Sequence, residues 1–196
     1  MTTTDKQENV KSTPAPTVDA DNSDMPSKRN EKELDNYRQT VERLAELDSS
    51  EVFSNGRPEH AAIIFSTFLK HAKDRVVIFC QNLSREVFDD PCVLSNLESA
   101  LDRKVKVEIL TQESPAATNF LAKEKSWKEQ GLPISLKTAA KGSPVAEVNA
   151  NFAVADGKAY RFEPKRVKVE AFACMNNPEA AADLVNLFGK MYRAVA

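Results

Sequence analysis

The stretch that decides the fold is Asn-Ala-Asn-Phe-Ala-Val-Ala-Asp-Gly, residues 149–157. Its apolar middle is typical of a strand, and it ends in Asp-Gly, a dipeptide strongly favoured in tight β-hairpin turns. A second run with alternating apolar residues, 158–162, follows the turn. The sequence therefore predicts two antiparallel strands, over residues 148–155 and 158–162, joined at Asp156 and Gly157.

Short apolar runs alternate with amphipathic helices on either side of this hairpin. Further strands are predicted over 75–80, 104–110, 134–138 and 167–173, and the run Ser-Asn-Gly-Arg-Pro at 54–58 predicts a turn. Four helices are predicted to begin at a proline or at the residue before one: at Pro58, and at Asp90, Ser114 and Asn177, each of which precedes a proline. This order predicts an α/β domain over 52–196, whose mixed sheet, flanked by helices, is parallel in its first half and antiparallel near the hairpin.

The first part of the chain differs in composition from this domain. Residues 1–29 are rich in Thr, Ser, Asp, Asn and Pro, and their few apolar side chains are scattered. Such a segment cannot offset its ordering entropy by burying apolar surface, so we expect a disordered tail. An amphipathic helix is predicted over 30–51, where Asn30 and Glu33 have the spacing of a capping pair.

The predicted helix carries an apolar seam at spacings of three, four and three residues. The seam consists of Leu34, Tyr37, Val41 and Leu44. It favours a helix docked on its own domain, because two heptads are too few for an unaided coiled coil. The alternative is an interface with another chain, through which the protein would act as a plain interaction module.

Composition excludes several classes of protein. The 27 Lys and Arg residues against 29 Asp and Glu give a net charge of −2, which excludes a globally basic nucleic-acid coat. No apolar run approaches the roughly 20 residues of a membrane span, and the N-terminus lacks the pattern of a secretory signal, so a cytoplasmic location is expected. The sequence has only three cysteines, none of them in a C-x-x-C pair, two histidines and five glycines. It therefore predicts no metal site, no cofactor and no Gly-rich phosphate loop.

The spacing within residues 149–157 resembles the signature of the phospholipase D superfamily, in which His and Lys two residues apart precede an Asp. Here Asn149 stands at the His position, Asn151 at the Lys position, and Asp156 matches the Asp. The order of elements from Pro58 onward is similar to one half of that family's bilobal fold, or to one subunit of its dimeric nucleases. Residues 173–177 resemble the Asn-bearing turn that follows the family motif.

This resemblance implies a protein without the family's catalysis. In the family the His attacks phosphorus and the Lys neutralises the phosphoryl oxygens, and an Asn amide can do neither. The resemblance therefore implies a catalytically inactive binding or scaffolding subunit that works with other protein subunits in a multi-component system. It also implies a homodimer, which we expect to form at least partly through a sheet edge around the hairpin at 149–161. Nucleic-acid processing and defence against phage are the settings that this analogy suggests.

Two other sets of residues are candidates for function. A phosphodiesterase or nuclease with unconventional residues would use Asp156, His71 and Lys73, and would need a histidine within hydrogen-bonding distance of Asp156. A basic cluster beside Tyr160 and Phe162 is a candidate ligand site, nucleic acid included, although the sequence favours the alternative, a solvated edge strand protected by Lys and Arg. The cluster consists of Lys158, Arg161, Lys165, Arg166 and Lys168.

Overall fold

The computed structural model describes residues 26–164 and 170–195, and this part of the chain forms a seven-stranded sheet with helices on both faces. The predicted fold class is confirmed. The strands are β1 (Val52–Asn55), β2 (Arg75–Cys80), β3 (Lys106–Thr111), β4 (Ile134–Thr138), β5 (Asn151–Ala155), β6 (Ala159–Glu163) and β7 (Ala171–Cys174). The helices are α1 (Pro26–Glu46), α2 (Pro58–His71), α3 (Arg85–Phe88), α4 (Pro91–Asp102), α5 (Thr118–Glu129) and α6 (Pro178–Ala194).

The sheet is mixed in the predicted way. Its strand order is β1-β7-β6-β5-β2-β3-β4. Strands β2, β3 and β4 are parallel, whereas β5 pairs antiparallel with β2, and the β5–β6, β6–β7 and β7–β1 pairs are also antiparallel. Parallel neighbours need a crossover, which α4 and α5 provide, while the β5–β6 connection is the predicted hairpin. Asp156 and Gly157 have φ values of 50° and 65°, the left-handed conformation that such a turn requires.

Both faces of the sheet are covered, which gives two apolar cores. Alternate residues of β2 divide between them: Val76, Ile78 and Cys80 face helices α1 to α5, and Val77 and Phe79 face α6. A strand buried on both faces reads as a continuous apolar run, and this is why residues 75–80 could be recognised.

Helix α1 is part of the larger core. Val41 is fully buried and Leu44 is 4 % exposed, while Leu34 and Tyr37 are partly buried against the same cluster. The seam therefore packs on the chain's own domain, and its use as an interface with another chain does not agree with the structure. The helix begins at Pro26, before the predicted start at residue 30, so Asn30 and Glu33 lie inside it and do not form the predicted capping pair. They instead accept hydrogen bonds from Arg57, at 3.0 and 3.1 Å.

Three further expectations need correction or restriction. Residues 52–55 form the edge strand β1, whereas the sequence predicts a turn over 54–58. The strand is only four residues long and half polar, so its sequence lacks the pattern of a strand. Strand β7 begins at Ala171. The earlier part of the strand predicted over 167–173, together with Lys165, Arg166, Lys168 and the tail up to residue 25, lies outside the described residues.

Candidate functional site

The three signature positions lie at the two ends of β5. Asn151 begins the strand, beside the end of β2, while Asp156 follows it in the hairpin turn at the opposite end of the sheet. Asn149 is exposed. The candidate site is the region around Asn151, because a cavity of about 210 Å³ opens there between α2, α3 and the sheet.

The cavity has an apolar floor and a polar rim. Its lining comprises Pro58, Ala61, Phe65, Phe79, Cys80, Gln81, Asn82, Ser84, Val87, Phe88, Asn151, Phe152, Arg161 and Glu163. Asn151 is held by both ends of its amide: its Oδ1 accepts from the backbone N–H of Gln81 at 2.8 Å, and its Nδ2 donates to Glu163 Oε1 at 3.3 Å. The amide is thus fixed at the point where β2 and β5 end together.

A buried ion pair occupies the inner wall of the cavity. Arg161 is 4 % exposed and Glu163 8 %, and Arg161 Nη2 donates to Glu163 Oε2 at 3.1 Å. Arg161 Nε and Nη2 also donate to Asn55 Oδ1 at 3.2 and 3.1 Å. Asn55 in turn donates to the carbonyl oxygen of Ala171. Hydrogen bonds with Asn55 of β1 and Asn151 of β5, and through Asn55 with β7, therefore tie this pair into the sheet, as a buried charge pair requires.

Small neighbours make room for the guanidinium. In the register of the sheet, Arg161 lies opposite Ala153 on one side and Ala173 on the other. Neither methyl group fills the space above the strand, so the long side chain can extend across it. The Phe65 ring of α2 covers the guanidinium, with 5.8 Å between the ring centroid and Arg161 Cζ, within the range of a cation–π contact.

Burial changes the acid–base properties of this site. It lowers the pKa of Arg161, although the adjacent Glu163 carboxylate opposes that shift. Burial also raises the pKa of the Cys80 thiol to about 12, because a thiolate would lose its hydration there. Cys80 is therefore a neutral thiol near pH 7 and a poor nucleophile.

The arrangement of strands and helices is shared with solved structures. Nuc from Salmonella typhimurium, described as a phospholipase D family member, is 15 % identical with a TM-score of 0.54, over 74 % of this chain and 96 % of that one. The chain has a phospholipase D-like fold. NucT from Helicobacter pylori is 14 % identical with a TM-score of 0.51, again over 74 % and 96 % of the two chains.

A third similar structure is TrmBL2, described as an archaeal chromatin protein with a novel mode of DNA binding. It is 15 % identical with a TM-score of 0.55, over 87 % of this chain and 66 % of that one. No protein-family model matches the sequence, and no curated protein matches it. At these identities the likeness establishes the phospholipase D-like fold alone.

Within this phospholipase D-like fold, Asp156 has a structural task. Its two carboxylate oxygens accept hydrogen bonds from the backbone N–H groups of Lys73, Asp74 and Arg75, at 2.9 to 3.0 Å. The carboxylate thus joins the hairpin to the loop that leads into β2. The turn that resembles the family's Asn-bearing segment lies at this end of the sheet too, where Asn177 caps α6 by accepting from Ala180 N.

The residues of the unconventional enzyme share a cavity but do not form a catalytic pair. A cavity of about 490 Å³ at the Asp156 end of the sheet is lined by His71, Lys73 and Asp156. His71 Nε2, however, contacts Glu42 Oε2 at 3.1 Å, and the Asp156 oxygens are occupied by backbone N–H groups. The required hydrogen bond between His71 and Asp156 is absent.

Of the basic cluster, the structure describes Lys158 and Arg161. Strand β6 lies in the interior of the sheet, so Arg161 is a core residue and the expectation of an accessible ligand-binding side chain is wrong for it. Lys158 is partly exposed and pairs with Asp48 at 2.6 Å. The hairpin strands β5 and β6 also cannot supply the sheet edge that we expect for a homodimer, because both are paired on both sides.

Sequence reasoning missed the partners that complete the candidate site: Asn55, Gln81 and Glu163. One signal was available: Glu163 directly follows the strand predicted over 158–162 and is two residues from Arg161, so a strand one residue longer places both side chains on one face. Among the described residues, no three His, Cys, Asp or Glu side chains come together as a metal site, and no helix is long and apolar enough to cross a membrane.

Proposed function

We propose that this protein is a non-catalytic phospholipase D-like domain that acts by binding another molecule. The observation that carries the proposal is the state of the cavity at Asn151. Where the phospholipase D signature would place a cationic Lys, the Asn151 amide bonds to Gln81 and Glu163. Among the described residues that line the cavity, the charged ones are Arg161 and Glu163, which pair with each other.

The chemistry of the cavity supports this proposal. Among the described residues that line it, none is His or Lys. The Cys80 thiol is neutral, because burial raises its pKa to about 12. Asn149 and Asn151 cannot attack phosphorus, since an amide is neither a nucleophile nor charged. What is left is an array of hydrogen-bonding groups in a partly apolar cavity, which suits recognition of a ligand.

We propose nucleic acid as the class of partner, within a cytoplasmic multi-component system. The support is the likeness to TrmBL2, a structure described by its mode of DNA binding. The net charge of −2 indicates that contact with nucleic acid would be local rather than spread over the surface.

The proposal is tested by assays of hydrolysis. Purified protein is incubated with bis-p-nitrophenyl phosphate, single- and double-stranded DNA and phospholipid vesicles, and we expect background rates for all of them. Loss of a phosphodiesterase nucleophile typically costs orders of magnitude in rate. Turnover of any substrate that remains after purification to constant specific activity would contradict the proposal.

The rival function is a phosphodiesterase that works in the Asp156 cavity. The observation in its favour is that His71, Lys73 and Asp156 line one cavity of about 490 Å³. The variants His71→Ala and Lys73→Ala distinguish it from a contaminant: turnover lost in both variants, with folding unchanged, would support the rival. Equal turnover by the wild type and both variants would show that the activity does not come from this cavity.

A further inference from the structure

The cavity at Asn151 combines two kinds of surface that are usually separated. Phe65 and Phe88 form its apolar phenylalanine floor, and both are at most 5 % exposed. Phe79 and Phe152 also line the cavity, but their rings pack against each other in the core on the α6 face. Gln81, Asn82 and Ser84 contribute amide and hydroxyl groups at the rim, and all three are partly exposed. A ligand that fits both surfaces must have an apolar face and hydrogen-bonding edges.

The charge of the cavity decides against an anionic ligand. Arg161 and Glu163 are the only charged residues among its described lining, and their charges cancel. A phosphate would meet no net positive charge and would lie near the Glu163 carboxylate, a repulsion that is strong in a poorly hydrated cavity. A neutral ligand avoids this repulsion and can still bond to the guanidinium.

Several donors and acceptors remain available for such a ligand. Arg161 uses Nε and Nη2 for Asn55 and Glu163, while Nη1 has no hydrogen bond to another described residue. The side chains of Asn82 and Ser84 likewise make no hydrogen bond within the described part of the chain, and Ser84 does not cap α3. Arg161 is only 4 % exposed, and a buried guanidinium donor without a partner among the described residues is costly unless a ligand or water completes it.

We propose that this cavity binds a neutral planar heterocycle of the nucleobase class, not a phosphate group. The base would lie over the phenylalanine floor and exchange hydrogen bonds with Arg161 Nη1 and the amides of Asn82 and Gln81. The cavity has a volume of about 210 Å³. This is below the roughly 300–1,000 Å³ of pockets that bind drug-sized ligands, and it suits a single heterocycle. This inference rests on the proposed binding function and specifies its ligand chemistry.

Nuclear magnetic resonance titration of the full chain tests the inference. The ¹⁵N-labelled protein is titrated with uridine, cytidine, adenosine and guanosine, and separately with ribose 5-phosphate and inorganic phosphate. We expect at least one nucleoside to shift the amide signals of Gln81, Asn82 and Asn151 in a saturable way. Neither phosphate compound should shift them at the same concentrations.

Two variants locate the binding site. Ser84→Phe places a ring at the cavity mouth and should weaken nucleoside binding at least tenfold, while Ser95→Phe, on the exposed side of α4, should leave it unchanged. Asn82→Ala should weaken binding severalfold, and Asn176→Ala, at the opposite end of the sheet, should not. A retained dispersed spectrum in each variant shows that folding is intact.

The possible results separate this inference from the proposed function. Saturable shifts by phosphate compounds alone, or no shifts by any compound, would overturn the inference and leave a non-catalytic protein standing. Nucleoside binding that Ser84→Phe does not weaken would also overturn it. Hydrolysis of a phosphodiester would instead overturn the proposed function, whatever the titration shows.

Discussion

At the scale of single residues, Asp156 illustrates how a signature position can serve the fold. One side chain accepts from three successive backbone N–H groups, those of the two residues before β2 and of Arg75, the first residue of β2. It also has a φ of 50°, a conformation that Asn and Asp adopt more readily than most residues. The carboxylate is therefore sufficiently explained by its contacts, without a catalytic role.

Replacing this carboxylate by an amide should destabilise the protein. Asp156→Asn keeps the turn conformation but supplies only one acceptor oxygen, so at least one of the three hydrogen bonds, each to a charged acceptor, is lost. We expect the free energy of unfolding to fall by about 1–3 kcal/mol in urea titrations. Asp74→Asn, an exposed neighbour, is the matched control and should change little. Equal stability of the two variants would show that the carboxylate does not hold the loop.

The ion pair of Arg161 and Glu163 makes a second prediction. Glu163→Gln removes the counter-charge and leaves a guanidinium buried without a partner of opposite charge, which should cost about 3–5 kcal/mol of unfolding free energy. The double variant Arg161→Met with Glu163→Leu removes both charges, and should unfold at a higher urea concentration than Glu163→Gln alone. A double variant less stable than the single one would indicate that the pair itself stabilises the fold.

At the scale of elements, Glu42 joins α1 to α2. Its carboxylate accepts from Thr67 and Lys70 and contacts His71. Burial alone would raise the pKa of Glu42, but hydrogen bonds and charge from Lys70 and His71 outweigh it and hold the pKa below 4.5. Because the folded pKa is the lower one, the contact stabilises the protein above the unfolded pKa and is lost as pH falls through the folded value.

Glu42→Gln should therefore destabilise the protein in a pH-dependent way. We expect a loss of about 0.5–1 kcal/mol at pH 7, since the group is partly exposed to solvent. The difference from wild type should shrink as the pH falls below 4.5 and through the lowered pKa of folded Glu42. Thermal unfolding at several pH values measures it, with Glu46→Gln, an exposed residue of the same helix, as control. A difference that is constant with pH would assign the effect to packing.

The elements also show what the sequence could and could not predict. Residues 75–80 and the Asp156 hairpin were predictable because a doubly covered strand and a left-handed turn restrict local composition. The core position of Arg161 was not. Strand β6 alternates as Ala-Tyr-Arg-Phe-Glu, which reads as one apolar and one solvated face. Since the sheet is covered on both sides, Arg161 and Glu163 are buried as well, and only tertiary structure reveals their partner Asn55.

At the scale of the whole molecule, the homodimer stays a prediction. Among the described residues, two large apolar side chains are exposed on neighbouring strands at one edge of the sheet. They are Val52 of β1, 53 % exposed, and Phe172 of β7, 46 % exposed. Such a surface favours association. Light scattering at micromolar concentration should give twice the chain mass of 21.7 kDa. A mass of one chain, unchanged by concentration and salt, would show a monomer.

The central claim is that this phospholipase D-like domain binds without cutting, and one experiment on one sample tests it. A fluorescein-labelled single-stranded DNA oligonucleotide is mixed with excess protein, its anisotropy is followed to saturation, and the same sample is then run on a denaturing gel after overnight incubation. We expect a saturable rise in anisotropy and a fully intact oligonucleotide. Shortened fragments that are absent with the His71→Ala variant, or an anisotropy that never rises, would contradict the account.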